Sequence, residues 1–306
     1  MTDTAVIDSI AASRRTELTE PLGTRFDGLD LRDHLTPAFG TMLRRLLARR
    51  GVVVFGGQEA LSPAGQVAFT RLLGEPVPNA GRSFELDGQN EITVLSNVVE
   101  NGMAMGSAVA GRAWHTDSAY TAQPAAYTVL HGIEVPASGG GTAFGDLRRA
   151  WRAIGEARRA QLRGRRATYS ACRLFHRQSG PVSAEERALY PEVTHPLVRL
   201  HPETGEECLY INDNDLVGIE GMDDAEARDF VAEMFALASD DGRGVLIHDW
   251  RPGDLVAWDN RFLIHVGLPY DTKRERRRLH RAWTRGEVPI AAPASAPVSA
   301  PVMAAV

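Results

Sequence analysis

The sequence predicts a mainly β protein with flanking helices (α+β), its antiparallel sheet curled in the jelly-roll manner. Three observations carry that reading. From about residue 90 the chain breaks into seven or more short apolar segments, each bounded by Gly, Pro, Asn or Asp, the texture of strands. Two helix signatures precede them and two more interrupt them, an order that puts helices outside a sheet. The 306 residues are 43% hydrophobic and 24% charged, enough to bury a core and too apolar for wholesale disorder.

The elements follow in order. Thr36-Pro37 is an N-cap followed by proline at the first helical position, and MLRRLLARR runs from it to a stop at Gly51. GVVVF then reads as a buried strand. Ser62-Pro63 repeats the helix start, with QVAFTRLL ending at Gly74. ITVLSN, AAYTVLHGIEV, HPLVRL, CLYIN, GVLIHDW, DLVAWDN and RRLHRAW are the strand segments. Residues 146–160 and 223–238 read as the inserted helices, and RPGD at 251–254 as the turn that launches DLVAW. Prolines 289, 293, 297 and 301 recur every four residues among small side chains. Residues 288–306 are therefore expected to form a disordered tail, residues 1–12 a flexible N-terminus, and 13–287 one catalytic domain.

Composition excludes several classes. Lys plus Arg is 34 against 39 Asp plus Glu, a formal charge of −5, so no basic excess points to nucleic acid or an anionic membrane. Cys172 and Cys208 are the two cysteines, too few for a disulfide scaffold and suited to a reducing compartment. No apolar run approaches the ~20 residues of a membrane span, and charges break the first residues before a signal peptide develops. The expectation is a cytoplasmic protein.

A metal site is the first chemical candidate. His-x-Asp or His-x-Glu on a strand puts both side chains on one face, where they can close on one ion. Nine histidines among these acidic residues give about one such pair by chance; the sequence has two. His201-Pro202-Glu203 lies in a Pro- and Gly-containing run and reads as a solvated hairpin tip. His115-Thr116-Asp117 is flanked by Trp114 and Tyr120, which suit a site wall and equally a strand end. His265, after DLVAW, is the best third ligand, although a lone strand histidine is more often a core residue. In ERRRLHRAW, strand periodicity puts Arg277 and Arg281 on one face. A basic edge strand in water is the bland reading. A guanidinium turned into the barrel would instead require an anionic ligand.

In this order, Trp114-His115-Thr116-Asp117, Gly140-Gly141-Thr142, the 253–261 segment GDLVAWDNR, His265 and Arg277–Arg281 resemble the taurine dioxygenase (TauD/TfdA) family. GVVVFGGQEALSP and LLGEP resemble its N-terminal part. The resemblance implies a double-stranded β-helix and a dioxygenase dependent on Fe(II), 2-oxoglutarate and O2, which hydroxylates a C–H bond and releases succinate and CO2. It implies iron on His115, Asp117 and His265, with 2-oxoglutarate on Arg277 and Thr142. Arg281 would hold a small substrate bearing a carboxylate or sulfonate. Asn97, Tyr120, Phe144 and Phe175 are expected on the substrate side, and homo-oligomers are common in the family. The taurine-using members carry a histidine soon after the Gly-Glu that ends the second helix. Here Gly74-Glu75 leads into PVPNAGRSF, with Asn79 near that place, so taurine is disfavoured. Arg82 reads as a solvated loop residue. Asp117 argues against halogenation, which needs a small residue there. The alternatives are desaturation or another oxidative rearrangement on the same fold, a zinc-dependent hydrolase, and a non-catalytic anion-binding barrel.

Overall fold

The computed structural model describes residues 14–78, 84–108, 111–239 and 245–294. Strands β1 (Arg14–Glu17) and β2 (Thr24–Asp27) lead into helix α1 (Pro37–Arg50). The Thr36 hydroxyl accepts the Phe39 N–H to cap that helix, and Gly51 ends it at φ +71°. β3 (Val52–Phe55) and α2 (Pro63–Leu73), capped by Ser62, follow as the sequence predicts. Then come β4 (Glu85–Leu86), β5 (Gln89–Ser96), β6 (Val99–Glu100), β7 (Met103–Ala104), β8 (Ala125–Glu134) and β9 (Thr142–Asp146).

The helix expected over 146–160 is two, α3 (Leu147–Ala153) and α4 (Glu156–Leu162), because Ile154 is extended and Gly155 caps the second. β10 (Arg166–Tyr169) is followed by two short helices absent from the sequence reading, α5 (Ala171–Ser179) and α6 (Ala184–Leu189). HPLVRL divides at Leu197 into β11 (Val193–Pro196) and β12 (Val198–Leu200), which belong to different sheets. β13 (Glu207–Leu209), β14 (Leu216–Ile219), α7 (Asp224–Ser239), β15 (Val245–His248), β16 (Leu255–Asp259), β17 (Leu263–Gly267) and β18 (Arg278–Arg285) complete the site-bearing part.

The main sheet has the order β1-β2-β3-β16-β8-β18-β5-β4, antiparallel except for β2 with β3. A second sheet, β15-β9-β17, is antiparallel throughout. Alternation along each strand decides what faces what. Val52, Val54, Leu130, Val256, Trp258 and Leu279 turn inward and meet Phe144, Leu246 and Leu263 of the second sheet. Val53, Phe55, Val129 and Ala257 turn outward onto Phe39, Leu43 and Leu47 of α1 and Phe69 and Leu73 of α2. Phe230, Met234 and Ala238 of α7 cover the outer side of the second sheet at Ile264. Truncating a buried Leu or Ile of this kind to Ala costs ~2–5 kcal/mol, so the inner layer fixes one sheet against the other.

Residues 288–294, expected in a disordered tail, instead carry β19 (Ile290–Ala291), which pairs with β12, and a buried Ala292. Strand pairing and burial of the small alanine compensate for the flanking prolines. The remainder of that expected tail and the expected flexible N-terminus lie outside the described residues, as do Asn79 and Arg82. Among the described residues no helix is long and apolar enough to cross a membrane.

Candidate metal centre

His115 and His265 face each other across an isolated antiparallel bridge. Each backbone N–H donates to the other residue's carbonyl, at 3.0 and 2.8 Å. Their rings lie 4.1 Å apart between centroids. His115 Nδ1 sits 2.8 Å from the Ala113 carbonyl, a contact that puts the proton on Nδ1 and leaves Nε2 with its lone pair. That Nε2 is 3.8 Å from Asp117 Oδ1, and His265 Nε2 is 3.8 Å from Asp117 Oδ2. These separations are too long for hydrogen bonds. One ligand atom from each of the three buried residues lies within 4.8 Å of the others, so the set converges on a shared point. Burial, then His115, pushes His265 down to about 3, which keeps its imidazole neutral. Burial opposes ionisation of Asp117, but His265, Arg281, His115 and the Thr128 hydroxyl together hold its carboxyl below the usual range. Two imidazoles and one carboxylate are the donor set of a facial triad with open positions.

A second layer aims the carboxylate. Thr128 on β8 donates its hydroxyl to Asp117 Oδ2 at 2.5 Å and accepts from Asn260 Nδ2 at 2.8 Å. Asn260 Oδ1 accepts from Trp258 Nε1 at 2.9 Å and from the Asp117 backbone N–H at 3.3 Å. Thr116, between the two ligands, turns the other way and donates to the Asn260 carbonyl at 2.8 Å. The AWDN segment, expected only to shape the strand before His265, therefore also orients Asp117. Ser118 then takes a left-handed φ of +52°, a conformation uncommon outside glycine, and its hydroxyl accepts the Ala125 N–H at 2.8 Å.

One cavity is lined by the triad residues His115 and Asp117, and a second shares Leu95 and Ser107 with it. The larger, about 550 Å³, is walled by Phe84, Tyr120, Phe175, Tyr190, Val193 and Trp283, with His115, Asp117 and Arg281 in its lining. Arg281 Nη1 stands 3.6 Å from Asp117 Oδ1. Burial pushes the Tyr120 phenol up to about 12. The smaller cavity, about 350 Å³, holds Arg277 beside Tyr270, Thr272 and Gly267. Arg278 and Arg276, by contrast, pair with Glu100 and Glu134 on the other side of the strand. Arg277 meets no carboxylate among the described residues, its Nε is buried without a partner, and burial lowers its pKa. A slightly larger cleft, about 600 Å³, lies against α7 and includes none of the triad.

Other candidate residues differ from the sequence reading. Thr142 sits on β9 opposite Gly267, one Cα pairing from the small cavity's wall, and its hydroxyl accepts Trp250 Nε1 at 3.1 Å while keeping a proton to donate. Asn97, expected on the substrate side, is a loop clamp. Its Nδ2 donates to the Thr272 and Glu275 carbonyls and its Oδ1 accepts the Arg277 N–H at 2.8 Å. Phe144 is core, edge-to-face with Trp258 and stacked on His265, rather than in the cavity. At the expected solvated tip, residues 202–205 are exposed and only His201 is folded inward. His201 is 3.1 Å from Asp259, and Glu203 accepts from Tyr127 and Arg261.

A family model described as "Taurine catabolism dioxygenase TauD, TfdA family" matches residues 14–283. The chain belongs to the TauD/TfdA family. It is 34% identical over 272 residues to the "Alpha-ketoglutarate-dependent 2,4-dichlorophenoxyacetate dioxygenase" of Cupriavidus pinatubonensis, covering 84% of the chain and 92% of that relative. It is 34% identical over 245 residues to the "(S)-phenoxypropionate/alpha-ketoglutarate-dioxygenase" of Delftia acidovorans, covering 74% and 80%. The structure of a taurine dioxygenase from Burkholderia xenovorans superposes with a TM-score of 0.74 at 26% identity, covering 94% of this chain and 96% of that one. TauD/TfdA members are oxidoreductases that use Fe(II), 2-oxoglutarate and O2. The residues present fit those groups: three buried donors converging on one point, with Asp117 aimed by Thr128, suit iron, and the Arg277 guanidinium, which meets no carboxylate among the described residues, suits a distal carboxylate.

Proposed function

We propose that this dioxygenase hydroxylates a C–H bond of a small carboxylate with an apolar, ring-sized body, in a cytoplasmic enzyme folded as a double-stranded β-helix. One observation carries the substrate class: Arg281 places a cation 3.6 Å from Asp117, in a cavity whose wall includes Phe84, Tyr120, Phe175, Tyr190 and Trp283. The two relatives named above are described as acting on aryloxyalkanoates, which have that shape and charge. Iron on His115, Asp117 and His265 would supply the activation of O2 that couples decarboxylation of 2-oxoglutarate to C–H oxidation. The chain's own residues supply geometry. Arg277, with the Thr142 hydroxyl behind it, grips the far carboxylate of 2-oxoglutarate and so fixes which end reaches the triad. Thr128 and Asn260 keep Asp117 aimed. Arg281 draws the substrate carboxylate toward the triad, and the apolar wall excludes water from the carbon to be oxidised.

The test is aerobic turnover of Fe(II)-loaded protein with 2-oxoglutarate and a panel of aryloxyalkanoates, alkyl carboxylates and sulfonates. Succinate and oxidised product should appear together with aryloxyalkanoates. Hydroxylation next to an ether oxygen gives a hemiacetal that breaks to a phenol, a direct readout. Arg281→Leu should raise the substrate KM at least tenfold while substrate-free 2-oxoglutarate decarboxylation continues. Turnover confined to sulfonates, or insensitive to Arg281, overturns the proposal.

A further inference from the structure

The large cavity contains a second charged group that the scheme above does not use. Asp215 lies just before β14, lines the same cavity as Arg281 and Tyr120, and is 2% exposed. Its backbone is pinned: its N–H donates to Asn212 Oδ1 at 3.1 Å and its carbonyl accepts from Ser170 at 2.8 Å. Its Oδ1 is buried with no partner at full hydrogen-bond geometry, and so is Asn212 Nδ2, although the Asn212 side chain and the Tyr120 N–H both favour its charged form. Tyr120 feels both Arg281 and Asp215, so a cation and an acid flank one aromatic wall. An unpaired buried carboxylate oxygen is costly, and such groups persist where a ligand satisfies them. Burial pushes the carboxyl up to about 7, so the free site holds it in both protonation states near neutrality.

We infer that Asp215 is a specificity-determining residue: besides its carboxylate, the substrate carries a hydrogen-bond donor, a hydroxyl or amine, on its body, and Asp215 accepts it. This rests on the proposed function and narrows its substrate class from arylalkanoic acids in general to donor-bearing ones. A site built to hydrogen-bond a substrate group discriminates strongly against the analogue lacking it, because its own polar atom is then left unpaired.

The experiment compares phenoxyacetate with its ortho-, meta- and para-hydroxy derivatives, using Fe(II)-loaded protein and 2-oxoglutarate. It reads kcat and KM in air and substrate Kd under nitrogen. At least one hydroxy isomer should exceed phenoxyacetate about tenfold or more in kcat/KM, with the gain in Kd and KM. In Asp215→Leu that ratio should collapse toward one. Asp215→Asn, which still offers Oδ1 as an acceptor, should restore part of it. Equal handling of all four acids by the parent, or a ratio that survives Asp215→Leu, overturns the inference and leaves the aryloxyalkanoate reading standing. If none of the four is oxidised while substrate-free succinate formation persists, the aryloxyalkanoate reading falls and this inference with it. A purely structural Asp215 would lower all four rates in proportion together with the Tm, which also overturns it.

Discussion

Replacing Thr128 with valine isolates the support of the metal ligand. The side chains are nearly the same shape, so β8 keeps its packing, but two bonds disappear. Asp117 Oδ2 loses its 2.5 Å hydroxyl donor, and Asn260 Nδ2 loses its 2.8 Å acceptor. A hydrogen bond to a charged group contributes ~1.5–3 kcal/mol. At ~1.4 kcal/mol per tenfold, Fe(II) affinity should fall about 10- to 100-fold, the range found when outer partners of metal ligands are removed. Anaerobic titration with Fe(II), or with Mn(II) as an air-stable substitute, measures this directly. The orphaned Asn260 amide should also lower the Tm of the metal-free protein. Thr128→Ser keeps the hydroxyl and should restore affinity to within a few-fold. Unchanged metal affinity in Thr128→Val would refute the claim that this hydroxyl holds Asp117 in its ligating position.

Arg277→Leu should raise the 2-oxoglutarate KM about 100-fold or more with metal affinity nearly unchanged. Without cosubstrate it should raise the Tm, because a buried cation with no carboxylate is removed; a lower Tm would assign Arg277 to the fold. Asn97→Ala should raise the 2-oxoglutarate KM several-fold by loosening the loop that ends at Arg277, with a smaller effect on substrate KM, and steady-state kinetics separates the two. For Asp215, the folded value of about 7 lies above the ordinary 3.8, so the fold favours the protonated form. Its stability contribution is present below about pH 4 and is lost as pH rises toward 7. The Tm of Asp215→Asn relative to the parent should therefore climb across that interval and level off above it; a pH-independent difference would contradict this.

The parts of the site that obey a local period were legible in the sequence. The alternation that separates Arg277 and Arg281 from Arg278 is such a period, whereas His115 and Asp117 converge without the strand expected of them: His115 makes one isolated bridge and Asp117 lies in a turn. What was not legible depends on partners from elsewhere in the chain. Asn260 reaches Asp117 through Thr128 on a different strand, and nothing in AWDN announces that path. Asn97 looked like a cavity residue, yet three backbone groups of the 272–277 loop claim its amide. His201 carries every local mark of a solvated turn, and only Asp259 draws it inward, while Glu203 stays on the exposed tip and reaches Tyr127 and Arg261 from there. Helix α6 was missed although its signal was present: Ser183 and Glu186 form a reciprocal capping box. The break between α3 and α4 turns on an extended Ile154 that its neighbours do not foretell.

The paired backbone bonds between His115 and His265 have a bearing on how the enzyme lives with its iron. Both imidazoles are mounted on main chain that is hydrogen-bonded together, so the spacing of two of the three donors is set by the backbone rather than by the ion.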